Sequence, residues 1–144
     1  MIITFFGHSD FCANVDIEKK IISIIEEYTQ NKSVDFFLGG YGNFDYFAFS
    51  CAKKYKEKTN NAKLIFVTPY MEKNYLKQKG NGFDEIIFPD FELVPHKLRI
   101  IKRNEYMVDK ADLIISYCTD KKIGGTLKTL EYAKRKSKKI VNLA

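Results

Sequence analysis

Apolar residues follow two alternating patterns along the chain. Short continuous apolar runs, typical of strands buried in a sheet, are separated by longer segments in which apolar residues recur every three or four positions, as in amphipathic helices. The predicted strands are residues 2–6, 34–38, 63–67, 84–88, 112–117 and 139–143. Because these apolar strands alternate with helices, the pattern predicts a parallel sheet covered on both faces.

The helices are predicted between these strands. Asp16 precedes a stripe of isoleucines, and Asn31 follows it. Asn43 is expected to cap the second helix, because its side chain can accept an amide hydrogen of the first turn. Pro95 is expected to begin another helix, and residues 126–136 form the last one, whereas residues 68–83 are less regular and contain a loop at residues 80–82. The predicted fold class is α/β, a Rossmann-like three-layer sandwich with a mainly parallel, doubly wound sheet.

Length and composition favour one folded domain. The 144 residues suffice for a single core, so residues 1–144 are assigned to one domain. The three cysteines lack paired spacing and the two histidines lie away from any cysteine pair, so neither a disulfide scaffold nor a zinc site is predicted. With no signal-peptide pattern and no apolar run of about 18 residues, a cytoplasmic location without membrane association is expected.

The net charge of +6 raises the question of nucleic-acid binding. The lysines are spread over predicted helices, at residues 53–58 and 134–139. A solvated charged face is therefore favoured, and binding of single-stranded DNA is the weaker alternative. The excess positive charge would also attract a phosphate-bearing ligand.

Glycine-rich turns follow several predicted strands, at the edge where doubly wound sheets bind ligands. Glycine allows tight turns and close approach of a ligand, and the free N–H groups at helix starts favour phosphate. A single such turn is adequately explained as a connection, but several at one edge predict a nucleotide-like ligand. The predicted binding residues in these turns are Gly7, His8, Ser9, Gly39, Gly40, Tyr41, Gly42, Asn43, Gly124, Gly125 and Thr126.

Further binding candidates lie outside the glycines. Pro69 and Tyr70 follow the third strand, where Tyr70 could stack on a base. Arg103 and Asn104 are polar in an otherwise apolar helix, and Arg103 either binds phosphate or pairs with a neighbouring acid. His8 either bonds to the backbone or meets a phosphate or base.

Asp45 and Glu131 are the catalytic candidates, as nucleophile or general base in glycosidic-bond chemistry. Taken singly, Asp45 is better explained as an acid at a helix N-terminus and Glu131 as a solvent-exposed side chain. The G-x-G-x-x-G fingerprint is absent after the first strand and no P-loop lysine motif occurs, which disfavours a dehydrogenase or ATPase. No cofactor is predicted, and both catalysis and a homo-oligomer are left open.

Taken together, the motifs resemble the small standalone members of the SLOG superfamily, relatives of DprA- and LOG-type Rossmannoid domains. The resemblance covers nearly the whole chain and rests on residues 7–8, 37–45, 67–70, 103–109, 111–112, 124–126 and 132–133. It implies a Rossmannoid fold that binds nucleotides or their derivatives, in some members as a sensor. LOG-type members hydrolyse the N-glycosidic bond of nucleoside monophosphates, and DprA-type proteins bind single-stranded DNA.

Two departures weaken a hydrolase assignment. LOG enzymes carry a late G-G-x-G-T-x-x-E motif, whereas here Asn43 replaces the threonine and Asp45 comes one position early. In the late turn, Glu131 follows Thr126 by five residues instead of three. That spacing is about 500° of helix rotation instead of about 300°, so the carboxylate would face another direction. The resemblance therefore favours binding over catalysis.

Overall fold

Six strands form one sheet in the order β4-β3-β2-β1-β5-β6 in the computed structural model, which describes residues 1–119 and 124–144. Every neighbouring pair is parallel, which confirms the predicted α/β class. The strands are β1 (Ile2–Gly7), β2 (Val34–Leu38), β3 (Ala62–Val67), β4 (Glu85–Ile87), β5 (Leu113–Tyr117) and β6 (Ile140–Asn142).

Helices cover both faces of the sheet. They are α1 (Val15–Thr29), α2 (Asn43–Thr59), α3 (Lys73–Lys79), α4 (Arg99–Lys110), preceded by a short 3₁₀ helix (His96–Leu98), and α5 (Gly125–Arg135). The core between α1, α2 and the sheet is separate from the core that α4 and α5 make on the opposite face. Successive strand residues supply the two cores, because side chains alternate across a strand: Phe36 packs in the first and Phe37 in the second.

The connections place a crevice at β1. From β1 the chain builds outward through β2 and β3 to β4, then crosses back to add β5 and β6 on the other side of β1. The strand order therefore reverses between β1 and β5, and ligands of doubly wound folds bind at the carboxyl ends of the strands beside such a point. Among the helices of the described ranges, none is long and apolar enough to cross a bilayer.

Local details differ from the sequence prediction at the helix ends. The α1 N-cap is Asn14, whose Oδ1 accepts the backbone N–H of Asp16 at 2.8 Å. Asn43 does not cap α2: it is the first residue of that helix, and the N-cap is Gly42. Helix α3 was not predicted, because its sequence KNYLKQK has no apolar stripe and none of its residues is buried.

Candidate ligand-binding cleft

A cleft of about 170 Å³ lies at the carboxyl end of β1, between the N-termini of α2 and α5 and the side of α4. It lies beside β1 and β5, at the point where the strand order reverses and where a ligand site was expected. Predicted residues that line the cleft are Gly7, Ser9, Tyr41, Asp45, Arg103, Asn104, Gly125 and Thr126.

Two helices begin at this cleft with glycine N-caps. Helix α2 starts after Gly42 and α5 after Gly124, and within the described residues neither receives a side-chain cap. One amide is already used, because Asn43 N–H donates to the Ser9 carbonyl at 2.9 Å. The remaining first-turn N–H groups and the two helix dipoles give this end of the cleft a positive potential that favours an anion.

Arg103 reaches the cleft from α4 and is only 2% exposed. Its Nη1 donates to the carbonyl oxygens of Gly39 at 2.8 Å and Val67 at 3.0 Å, and its Nε donates to Asn104 Oδ1 at 2.9 Å. The guanidinium therefore ties together the carboxyl ends of β2 and β3. The lack of a side chain at Gly39 leaves room for this approach, since a Cβ at that position would lie 2.9 Å from Arg103 Cζ.

Asp45 stands in the first turn of α2, and its Oδ2 accepts the backbone N–H of Tyr41 at 2.8 Å. Burial raises the pKa of the Asp45 carboxyl to about 6, although the Tyr41 hydrogen bond and the positive charge of Arg103 both act to lower it. A carboxyl with a pKa of about 6 exchanges its proton near neutral pH, as general acids and bases do. The Asp45 side chain therefore holds the turn before α2 in addition to facing the helix dipole.

No family model matches the chain. Comparison with individual protein sequences nevertheless places it in a family. The chain is 31% identical over 140 residues to the uncharacterized SPbeta prophage-derived protein YoqJ of Bacillus subtilis (strain 168), a match that covers 83% of this chain and 81% of that protein. The chain belongs to the YoqJ family.

In this member of the YoqJ family, the other predicted residues lie outside the cleft lining. His8 was predicted either to bond to the backbone or to meet a phosphate or base. In the structure its side chain is buried, and Nε2 accepts the backbone N–H of Thr119 at 3.0 Å. Tyr70 stacks on His96, with ring centroids 4.3 Å apart, and so serves local packing. The remaining predicted residues outside this lining are Gly39, Gly40, Gly42, Asn43, Pro69, Gly124 and Glu131.

Glu131 lies on α5 beside a separate groove between α4 and α5, which Gly124 also lines. Its side chain is exposed, and it does not line the cleft that contains Asp45. The five-residue spacing after Thr126 accounts for this placement on another side of α5. Of the two candidate carboxylates, only Asp45 lines the cleft.

The glycines of the first two turns are explained by packing within the protein. A Cβ at Gly7 would lie 2.2 Å from the ring of the buried Phe44, so this glycine lets α2 press against β1. Gly42 has φ +91°, and a Cβ there would lie 2.8 Å from the Ser9 Cα. Gly125 differs, because a Cβ there would meet none of the described residues within 4 Å. Of these three glycines, Gly125 alone has a Cβ position that is clear of the residues the structure describes.

Sequence reasoning did not identify Phe6, Ile100 and Thr129 as cleft residues. Thr129 Oγ1 donates to the Gly125 carbonyl at 2.9 Å and also lies 3.5 Å from Asn104 Nδ2, so it joins α5 to α4 at the cleft. Its position three residues after Thr126 places both threonines on one helix face. This spacing was the signal available in the sequence.

Several lysines on α2 are paired with carboxylates. Lys54 lies 2.6 Å from Glu18, and Lys58 lies 3.6 Å from Glu26. Lys56 contacts the carboxylate that precedes β4, Asp84, at 2.5 Å. These contacts favour a solvated, partly neutralised helix face, which was the preferred explanation of the lysine distribution.

Proposed function

We propose that this chain binds a nucleotide or nucleotide derivative as a SLOG-like sensor domain, with the ligand phosphate at the N-termini of α2 and α5. The observation that carries the proposal is the convergence of these two helix starts, both without side-chain caps in the described part of the chain, on one cleft. Unpaired N–H groups and aligned dipoles are the usual elements of a phosphate site.

The size and charge of the cleft support a phosphate and its adjoining sugar. A volume of about 170 Å³ is below the roughly 300–1,000 Å³ of pockets that hold a whole drug-sized ligand. The Ser9 and Thr126 hydroxyls and the Asn104 side chain provide polar groups along its walls. The positive charge of the Arg103 guanidinium offsets the negative charge of Asp45, so Asp45 does not give the cleft a net negative charge that would repel an anion.

Nucleotides should therefore stabilise the protein against heat. A panel of AMP, NAD, ADP-ribose and cyclic nucleotides would be screened by thermal denaturation, where a ligand at 100 times its Kd adds about 2.7 kcal/mol to the free energy of unfolding. Gly125→Asp should abolish the shift, because it places a negative charge in the phosphate site. The same change should leave Tm unchanged or higher without ligand, since an acid in the first turn of a helix interacts favourably with its dipole.

Gly125→Asn is the matched control. It has the shape of the aspartate without its charge, and residues 1–119 and 124–144 make no packing contact within 4 Å of the Gly125 Cβ position. We expect it to keep more of the affinity than Gly125→Asp. No shift with any member of the panel, or equal affinities for the two variants and the wild type, would contradict the proposed phosphate site.

A second candidate function is a nucleoside-phosphate N-glycosidase, favoured by the Asp45 carboxyl. A carboxylate with a pKa of about 6 inside the proposed sugar region could act as general base or nucleophile at a glycosidic bond. The ionised form is the active one in either case, so the rate should rise as the pH increases through about 6.

The activity would be followed as free base released from nucleoside monophosphates, separated by chromatography. Asp45→Asn should reduce the rate by at least about a hundredfold, the lower range for loss of a general base. Glu131→Gln is the control, because Glu131 lies outside the cleft. Failure of the wild-type protein to release base from any common monophosphate would leave binding without hydrolysis.

A further inference from the structure

A second, larger cavity of about 460 Å³ lies on the other side of Asp45. It is enclosed by the start of α2, the end of α3 and the loop that follows α3. Its volume falls within the range of pockets that hold small organic ligands. Asp45 is the one residue that the described linings of the cleft and of this cavity share.

Aromatic rings form one side of this cavity. Phe49 and Phe83, both half-buried, have ring centroids 4.8 Å apart, and Phe83 is also stacked on the buried Phe66 at 5.2 Å. Packed rings of this kind offer a planar ligand a rigid surface for stacking. Stacking of a base on an aromatic side chain strengthens binding, and the gain depends little on which base is present.

Polar groups line the same cavity. Gln78 and Asn81 are exposed residues whose amides can both donate and accept hydrogen bonds. The Tyr46 hydroxyl accepts a hydrogen bond from Lys79 Nζ at 2.6 Å. An aromatic wall together with amide groups matches a heteroaromatic base, which has two flat faces and a polar edge.

The two cavities adjoin at Asp45, which lines both. A ligand with its phosphate at α5 and its base against Phe49 would place its sugar beside this carboxylate. The order phosphate, sugar, base is that of a nucleoside 5′-phosphate.

We infer that the cavity between α2 and α3 binds the heteroaromatic base of a nucleoside 5′-phosphate whose phosphate lies in the cleft. This inference rests on the proposed phosphate site and adds to it a subsite for the base. The α2–α3 cavity supplies affinity that a sugar phosphate alone cannot gain.

The experiment compares ribose 5-phosphate with AMP, GMP, CMP and UMP by calorimetric titration of the wild-type protein. At least one nucleotide should bind about tenfold or more tightly than ribose 5-phosphate, the gain expected from stacking one base. Phe49→Leu should remove most of this difference and leave the affinity for ribose 5-phosphate at the wild-type value.

Gln78→Ala provides a second variant on an exposed position, because Phe49 also packs against Phe83. It should weaken nucleotide binding and not ribose 5-phosphate binding. Lys77→Ala is the control, since Lys77 is the exposed neighbour on α3 and does not line the cavity. Thermal denaturation of each variant would confirm that it is folded.

The outcomes separate the two proposals. If ribose 5-phosphate binds and no nucleotide binds more tightly, the base subsite is wrong while the phosphate site stands. If a nucleotide binds more tightly but Phe49→Leu and Gln78→Ala keep the full difference, the base lies elsewhere and the inference is again overturned. If neither ribose 5-phosphate nor any nucleotide binds, both proposals fail together.

Discussion

Replacing Arg103 with methionine should lower the free energy of unfolding by about 2–6 kcal/mol. The change removes the donor to the Gly39 and Val67 carbonyl oxygens, and each buried acceptor left without a partner costs about 1–3 kcal/mol. Methionine keeps an unbranched apolar chain in the same space. The decrease in stability should therefore come mainly from the missing hydrogen bonds and less from a cavity. Urea denaturation would measure it.

Two further variants identify the cause of this loss. Arg103→Lys keeps the positive charge but lacks the planar fork that serves two carbonyls and Asn104, so it should recover only part of the stability. Arg135→Met on the exposed face of α5 should change stability by less than about 0.5 kcal/mol. A loss below about 1 kcal/mol for Arg103→Met would mean that the carbonyls find other partners.

Arg103 also links the strand ends to the chemistry of Asp45. Its positive charge lowers the pKa of the carboxyl against the larger effect of burial. Without Arg103 the pKa of Asp45 should therefore rise above about 6, and any rate that depends on the ionised carboxylate should shift to higher pH. A structural role confined to the carbonyls would leave the pH profile of Asp45 unchanged.

The sheet could be predicted from the sequence because its strands are short apolar runs bounded by turns. The β2 run, for example, supplies Phe36 and Phe37 to opposite faces, and apolar residues on both faces are typical of a strand in a covered parallel sheet. Helix α3 lacked this advantage, since its sequence has no apolar stripe and it buries no residue completely. The α2–α3 cavity was consequently absent from the sequence prediction.

The candidate site could be predicted only where its residues follow strands. The turns after β1 and β2 are recognisable because they come directly after apolar runs, and parallel strands bring their carboxyl ends to one edge. The partners of Arg103 could not be predicted, because Gly39 and Val67 lie 64 and 36 residues away and contribute backbone oxygens. Any residue type supplies a backbone carbonyl, so the sequence contains no sign of such a contact.

The glycines show how one residue type serves two purposes at the same sheet edge. Gly7 and Gly42 are required by packing, since a Cβ at either would lie less than 3 Å from Phe44 or Ser9. Gly125 meets no such neighbour in the described part of the chain and lines the cleft beside the start of α5. The proposed phosphate site would account for a glycine at position 125, whereas packing against Phe44 alone accounts for Gly7.

Gly7→Ala should therefore destabilise the protein, by about 1–3 kcal/mol as for other overpacked sites. The added methyl group would lie 2.2 Å from the Phe44 ring, and Phe44 is fully buried in the first turn of α2, so the helix start must move. That movement would displace Asp45 and weaken nucleotide binding as well. Gly125→Ala should instead raise stability by about 0.5–1 kcal/mol, because it replaces a helical glycine whose Cβ position is clear of the described residues.

Urea denaturation and nucleotide titration of both variants would separate the two kinds of glycine. Gly7→Ala should lose stability and affinity together, because a single displacement of α2 causes both. Gly125→Ala should gain stability and lose affinity, because its methyl group points into space that the ligand would use. If Gly7→Ala matches the wild type in both measurements, α2 can move away from β1 without cost, and packing does not explain that glycine.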